Sequence, residues 1–155
     1  MACKKIFIAA TGQHCGKTTI SLSLMHLARK KYERVGFVKP IGPKCITYNG
    51  LTMDMDAAMM ASVYNLDRDA HLMSPMTLTP GSTREFLDGG ISPETPRTLI
   101  SGAIHELEQR YDFLIIEGAG HGGVGSVVGV NNAQVATMVG APVLIGYQRR
   151  HRQRD

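Results

Sequence analysis

The run Ala10-Thr11-Gly12-Gln13-His14-Cys15-Gly16-Lys17-Thr18-Thr19 carries the residue types that grip a polyphosphate. Phosphate oxygens need many convergent donors. Glycines let backbone N–H groups turn inward, and a helix that follows adds partial positive charge at its first turn. In such a loop Lys17 reaches the β- and γ-phosphates, and the Thr18 hydroxyl ligates Mg²⁺. Gly12, Gln13, His14, Cys15, Gly16, Lys17, Thr18 and Thr19 are therefore the candidate nucleotide-binding residues, with ATP and Mg²⁺ as cofactors. The strict spacing would put a glycine at position 11. Thr11 stands there instead, flanked by Ala10 and Gly12.

Other residues could complete the chemistry. A phosphate loop needs a second acid near the metal, at the end of a neighbouring strand. Glu117 follows the apolar run Phe113 to Ile116 and meets that need. Asp54 and Asp56 could hold a water-bridged Mg²⁺, or they could cap the helix that follows them. Lys39 ends a strand in Val38-Lys39-Pro40, where it could neutralise a phosphate or hold an anionic substrate. Residues 118–129 contain six glycines. They match a dinucleotide fingerprint formally, but the loop runs too long before its helix, and no acid follows at the expected offset of about 20 residues. A nest of backbone N–H groups around an anion, including Gly118 and Gly120, is the better reading. His121 and His14 either contact a ligand or lie exposed.

These residues need elements to carry them. An apolar β run covers residues 4–11, a helix 17–31 and a second strand 34–41. Residues 42–54 read as loop, and residues 55–64 as a short helix. Residues 71–90 are punctuated by Pro and Gly and read as mostly irregular. Ser92 and Pro93 begin a helix through about Gln109. Phe113 to Ile116 has the continuous apolar character of a strand buried on both faces. Asn131 or Asn132 caps a helix to Val139, and residues 141–145 form a last strand. The order β-α-β-α-α-β-α-β predicts an α/β fold of three layers, with a mostly parallel sheet.

Composition bounds the function. Hydrophobic residues make up 43% of the 155 and charged residues 19%, ordinary values for a globular chain. No apolar run reaches the roughly 18 residues of a membrane span, and no leader is evident, so a cytoplasmic location without membrane partners is the default. Cys3, Cys15 and Cys45 have no paired spacing, which speaks against a disulfide framework or a zinc site. The net charge is +4, but residues 146–155 alone contribute +3 through four Arg and one Asp. A nearly neutral body with a basic tail speaks against a nucleic-acid partner.

The set A-T-G-Q-H-C-G-K-T-T, F-V-K-P-I-G, M-D-A-A and L-I-I-E-G-A-G, in this order, resembles dethiobiotin synthetase. It also resembles the synthetase domains of cobyrinic acid a,c-diamide synthase and the N-terminal domain of some phosphotransacetylases. The resemblance spans most of residues 4–145. It implies a P-loop NTPase fold in which Ala10 stands for the displaced early Gly of the loop. It implies Lys17 and Lys39 as the catalytic residues, contacting phosphate or carbamate, and Thr18, Asp56 and Glu117 around Mg²⁺. The implied reaction is ATP-dependent phosphorylation of a carbamate or carboxylate, followed by displacement of phosphate by an amine. A homodimer with its site near the subunit interface is implied as well. Gln13-His14-Cys15 and the long Gly loop depart from that enzyme. A regulatory ATP-binding module without independent catalysis is the alternative, followed by a GTPase or metal-delivery NTPase.

Residues 1–145 read as the P-loop nucleotide-binding domain, and residues 146–155 as an atypical basic tail. Proteins of the resembled family continue past Ala141-Pro142-Val143-Leu144-Ile145 with further strands and base-holding residues. The tail reads as a frame-shifted end, with a true basic tail or an expression-derived scar as the alternative, and the sheet as truncated at its C-terminal edge. A chain truncated there would expose apolar surface and lack its base pocket, and its catalysis would be impaired or absent.

Overall fold

The structure is a computed structural model. It describes residues 2–12, 15–92, 94–120 and 128–147. Gln13, His14, Pro93, His121 and the basic tail from residue 148 lie outside the described residues.

Strand β1 (Lys4–Ala10) leads through the phosphate loop into α1 (Lys17–Ala28). Strands β2 (Val35–Val38) and β3 (Ile41–Gly42) precede a hairpin of β4 (Cys45–Tyr48) and β5 (Leu51–Asp54). Helix α2 (Met55–Tyr64) runs into a 3₁₀ turn (Asp67–Leu72), then β6 (Met76–Thr77) and α3 (Pro80–Leu87). Helix α4 (Glu94–Arg110), β7 (Phe113–Glu117), α5 (Asn132–Val139) and β8 (Val143–Gly146) complete the order.

The central sheet has the order β2-β7-β1-β8, and every pairing in it is parallel. Strands β1, β2 and β7 alternate apolar side chains between two buried faces, as period-two geometry requires. Phe7, Val38, Leu114 and Ile116 pack with Ile100, Ile104 and Leu107 of α4 and Val135 and Val139 of α5. Ile8, Val35, Phe37 and Ile115 pack on the other side with Met25 of α1 and Ala57, Met60 and Ala61 of α2. The result is the expected three-layer α/β architecture. Strand β8 is an edge, and its Val143, Leu144 and Ile145 are exposed. No helix among the described residues is long and apolar enough to cross a membrane.

Three expectations are corrected. Residues 42–54 are not a loop: β4 and β5 pair antiparallel, with Tyr48 opposite Leu51. The turn between them is Asn49-Gly50, both at positive φ (48° and 79°). That dipeptide suits the turn whose twist matches a hairpin. Residues 71–90 are not mostly irregular either. Thr79 and Ser82 form a reciprocal capping box with Pro80 at the first turn, and this starts α3. Helix α1 ends at Ala28, short of Lys31, because the amides of Lys30 and Lys31 turn to carbonyls three residues back, at Leu27 and Ala28.

Leu107 is fully buried between α4 and the sheet. Leu107→Ala is expected to lower unfolding stability by about 2–5 kcal/mol, read from the urea midpoint at an unchanged m-value.

Candidate functional site

The candidate groups among the described residues gather at the C-terminal edge of the parallel sheet, where parallel α/β sheets place ligands. The phosphate loop leaves β1 after Ala10. The Thr11 N–H donates to the Gly146 carbonyl at 3.1 Å, which ties the loop entry to β8. Gly16 occupies the N-cap of α1 at φ +77°, in the left-handed region that glycine enters without strain. Helices α2, α3 and α5 have side-chain caps from Asp54, Thr79 and Asn131, whereas none of the described residues gives α1 a side-chain cap bond. Its first-turn N–H groups and dipole are thus available to an anion.

Lys17 opens α1 and is buried despite its charge. Thr18 is half-buried beside it, and Thr19 is exposed. Gly12 and Cys15 are half-buried on the two sides of the loop. One turn further along α1, Ser21 is fully buried and donates its hydroxyl to Glu117 Oε2 at 2.6 Å. Nothing in the motif pointed to Ser21. The usable signal was its spacing, since i and i+4 share a helix face and Lys17 is four residues earlier.

Lys39 follows β2, and only 5% of its surface is exposed. Its Nζ lies 2.5 Å from Asp56 Oδ2, 3.1 Å from Asp54 Oδ1 and 3.7 Å from Glu117 Oε1. Burial pushes this ammonium towards its neutral form, but the carboxylates of Asp54, Asp56 and Glu117 outweigh that and hold its pKa above the ordinary value. Glu117 is buried at the end of β7. Burial raises its pKa, the Ser21 hydroxyl and Lys39 act against this, Asp56 adds to it and Lys17 opposes it, and the net shift is upward. Three carboxylates therefore face two ammonium groups, a formal excess of negative charge suited to a cation.

Asp54 and Asp56 separate into different roles. Asp54 is the N-cap of α2, its Oδ1 accepting from the Asp56 N–H at 2.9 Å. It is fully buried, whereas the Asp56 side chain is 21% exposed.

The glycines after Glu117 also divide. Gly118 donates its N–H to the Ile8 carbonyl at 2.8 Å, continuing the sheet ladder. That corrects its expected place as an anion donor. A Cβ there would fall 2.9 Å from both Phe7 and Asn132. Asn132 holds the next residue from both sides: its Oδ1 accepts from the Ala119 N–H at 3.0 Å, and its Nδ2 donates to the Ala119 carbonyl at 3.1 Å. Gly120 is half-buried just beyond. Among the described residues, no group of three or more His, Cys, Asp and Glu side chains is arranged as a metal site of its own.

A family model described as an AAA domain, AAA_26, matches residues 4–150. The chain belongs to the AAA_26 family. It is similar to several curated proteins that bear the name ATP-dependent dethiobiotin synthetase. It is 30% identical over 119 residues to an ATP-dependent dethiobiotin synthetase of Methanocaldococcus jannaschii, covering 74% of this chain and 52% of that protein. It is 25% identical over 114 residues to the Thermodesulfovibrio yellowstonii protein of the same name, covering 74% of this chain and 48% of that one. Against the Pseudomonas paraeruginosa protein of that name the identity is 28% over 141 residues, covering 90% of this chain and 61% of the relative. The chain thus spans about half to three-fifths of the length of the curated relatives it matches.

Ser21→Ala is expected to cost about 1–3 kcal/mol of stability, because it leaves one oxygen of a buried carboxylate without its donor. The same substitution in a Glu117→Gln background should cost less. Equal costs in both backgrounds, measured by denaturant unfolding, would disprove the coupling.

Proposed function

We propose that this protein is an ATP- and Mg²⁺-dependent synthetase of the dethiobiotin type, which phosphorylates a carbamate or carboxylate. The observation that carries the reading is the pairing of two buried lysines, Lys17 and Lys39, at the end of one parallel sheet beside an uncapped helix N-terminus. A buried ammonium group is costly unless an anion is present to meet it. Two of them with a ring of acids suit a magnesium-bound triphosphate and an anionic acceptor. The names of the relatives support ATP as the nucleotide.

The catalytic roles follow from charge and position. The amides of the phosphate loop at Gly12, Cys15, Gly16, Thr18 and Thr19 would surround the polyphosphate, and Lys17 would neutralise its β- and γ-oxygens. Mg²⁺ prefers hard oxygen ligands, often one or two carboxylates together with phosphate oxygens and water. Asp56, Glu117 and the Thr18 hydroxyl are donors of that kind and would hold it. When bound, the metal would neutralise charge on the transferring group. Lys39 meets the acceptor anion and the phosphoryl group that passes to it. An acceptor oxygen attacks the γ-phosphorus, and the bond to the β–γ bridging oxygen breaks with its electron pair leaving on ADP. An amine then attacks the acyl carbon, and inorganic phosphate departs. Such transfer needs mainly alignment and charge neutralisation, which fixed lysines provide. A small-molecule carboxylate or amine is the partner substrate, and a homodimer is the proposed assembly, to be read by light scattering.

ATP with Mg²⁺ is expected to stabilise the wild-type protein by about 2.7 kcal/mol at a hundredfold excess over Kd. In a thermal-shift assay Lys17→Ala should lose that response, and an equal response from both proteins would remove the phosphate-loop assignment. ATP turnover should rise on addition of a carboxylate or diamine. Binding without such stimulation would replace the synthetase by a regulatory module. The raised Glu117 pKa adds a pH dependence. A carboxyl held above its ordinary 4.5 keeps its proton longer in the metal-free protein, and a metal must displace that proton. Affinity for Mg²⁺ with ATP is therefore expected to rise as pH climbs through the Glu117 pKa. Calorimetry on Glu117→Gln should show this slope flattened, and an unchanged slope would exclude Glu117 as its source.

A further inference from the structure

The geometry points to Asp54 as a positioning residue: a permanent buried counter-charge that keeps the Lys39 ammonium aimed at the transferring phosphoryl group. The inference rests on the synthetase reading and assigns a role within it to a residue outside its metal and phosphate contacts.

Three carboxylates surround Lys39, and they are not held alike. Asp54 is fixed by backbone. Its Oδ1 accepts from the Asp56 N–H at 2.9 Å, and its Oδ2 from the Lys44 N–H at 3.3 Å. Its own N–H donates to the buried Ser74 hydroxyl at 2.9 Å. The next amide, of Met55, bonds the Lys44 carbonyl at 2.8 Å. The seat also needs Gly42, because a Cβ there would come within 2.5 Å of Asp54 Cβ. A carboxylate that is fully buried and bonded on both oxygens cannot turn to a metal without giving up its helix cap.

Asp56 and Glu117 are the two carboxylates that a metal would claim. Once they are claimed, Lys39 keeps Asp54 alone among its three present partners. A buried ammonium with four rotatable bonds behind it needs such an anchor, because a flexible lysine otherwise follows the nearest negative charge. With Asp54 at 3.1 Å, one side of the ammonium stays fixed and its other protons face the anion. Asp54 therefore acts through Lys39, and its loss should resemble the loss of Lys39 itself.

The test compares binding of ATP and ADP, each with Mn²⁺, by calorimetry. The proteins are wild type, Asp54→Asn, Lys39→Gln and the double variant, each checked for a cooperative thermal melt. Asn keeps the cap acceptor and removes the charge. In Asp54→Asn the affinity for ADP with Mn²⁺ should stay within about twofold, while the preference for ATP over ADP falls about tenfold. Lys39→Gln should show the same selective loss, and the double variant no more than either single one, as for residues acting as one unit.

Equal weakening of both nucleotides in Asp54→Asn, or an additive double variant, overturns the inference. So does a selective loss in Lys39→Gln with none in Asp54→Asn, which leaves the synthetase reading standing. A wild type that binds neither nucleotide, or a Lys39→Gln that loses no ATP preference, takes down that reading and the inference together. Asp54→Ser, which also keeps a cap oxygen, is the second variant. If both Asp54 variants lose their melt, Asp54 belongs to the fold alone and the inference falls.

Discussion

One buried ammonium organises the working end of this molecule. Lys39 sits among Asp54, Asp56 and Glu117, almost cut off from water, and each partner arrives on a different element. Lys39 comes from the end of β2, Asp54 from β5, Asp56 from the first turn of α2, and Glu117 from β7. Charges taken out of water are tolerated only where their partners are close and well placed. That requirement fixes where β2 and β7 must end relative to each other and where the hairpin must return the chain. It also leaves more negative than positive charge at the sheet edge, beside the N-terminus of α1.

The scaffold supplies the rigidity that this cluster needs. Strand β7 lies between β1 and β2, so Glu117 is delivered beside both the phosphate loop and Lys39. Its neighbours Leu114, Ile115 and Ile116 are fully buried, alternating between the two core faces. A one-residue slip in register would turn Glu117 away and drive apolar side chains to the wrong face. Helix α1 contributes Lys17 and, one turn on, Ser21, whose hydroxyl fixes the Glu117 carboxylate from the opposite side to Lys39. The same packing that stabilises the sheet therefore sets the distances between these charges.

Much of the frame was legible in the chain. Continuous apolar runs marked the central strands, and G-K-T-T after such a run marked the phosphate loop. The misses have physical causes. Residues 42–54 lack a clean alternation, so the hairpin was hidden although Asn49-Gly50 announced its turn. The helix at residues 80–87 was masked by Pro80 and Gly81, which read as punctuation until Thr79 is seen to cap it. Gly118 looked like part of an anion nest. Its amide is taken by the Ile8 carbonyl, a pairing that depends on strand neighbours and that local composition cannot show.

The sequence by itself determined the central strands, the phosphate-binding turn and the shortlist of lysines and acids, because these depend on residue identity and short-range periodicity. Tertiary structure alone decided which charges meet. Asp54 and Asp56 are two residues apart and chemically identical, yet one is sealed beneath Gly42 and Ser74 and the other reaches the open edge. Ser21 and Glu117 are 96 residues apart, and nothing local foretells their hydrogen bond. Burial, and the direction in which a side chain leaves its element, come from packing between distant segments, so these roles became visible only once the sheet was assembled.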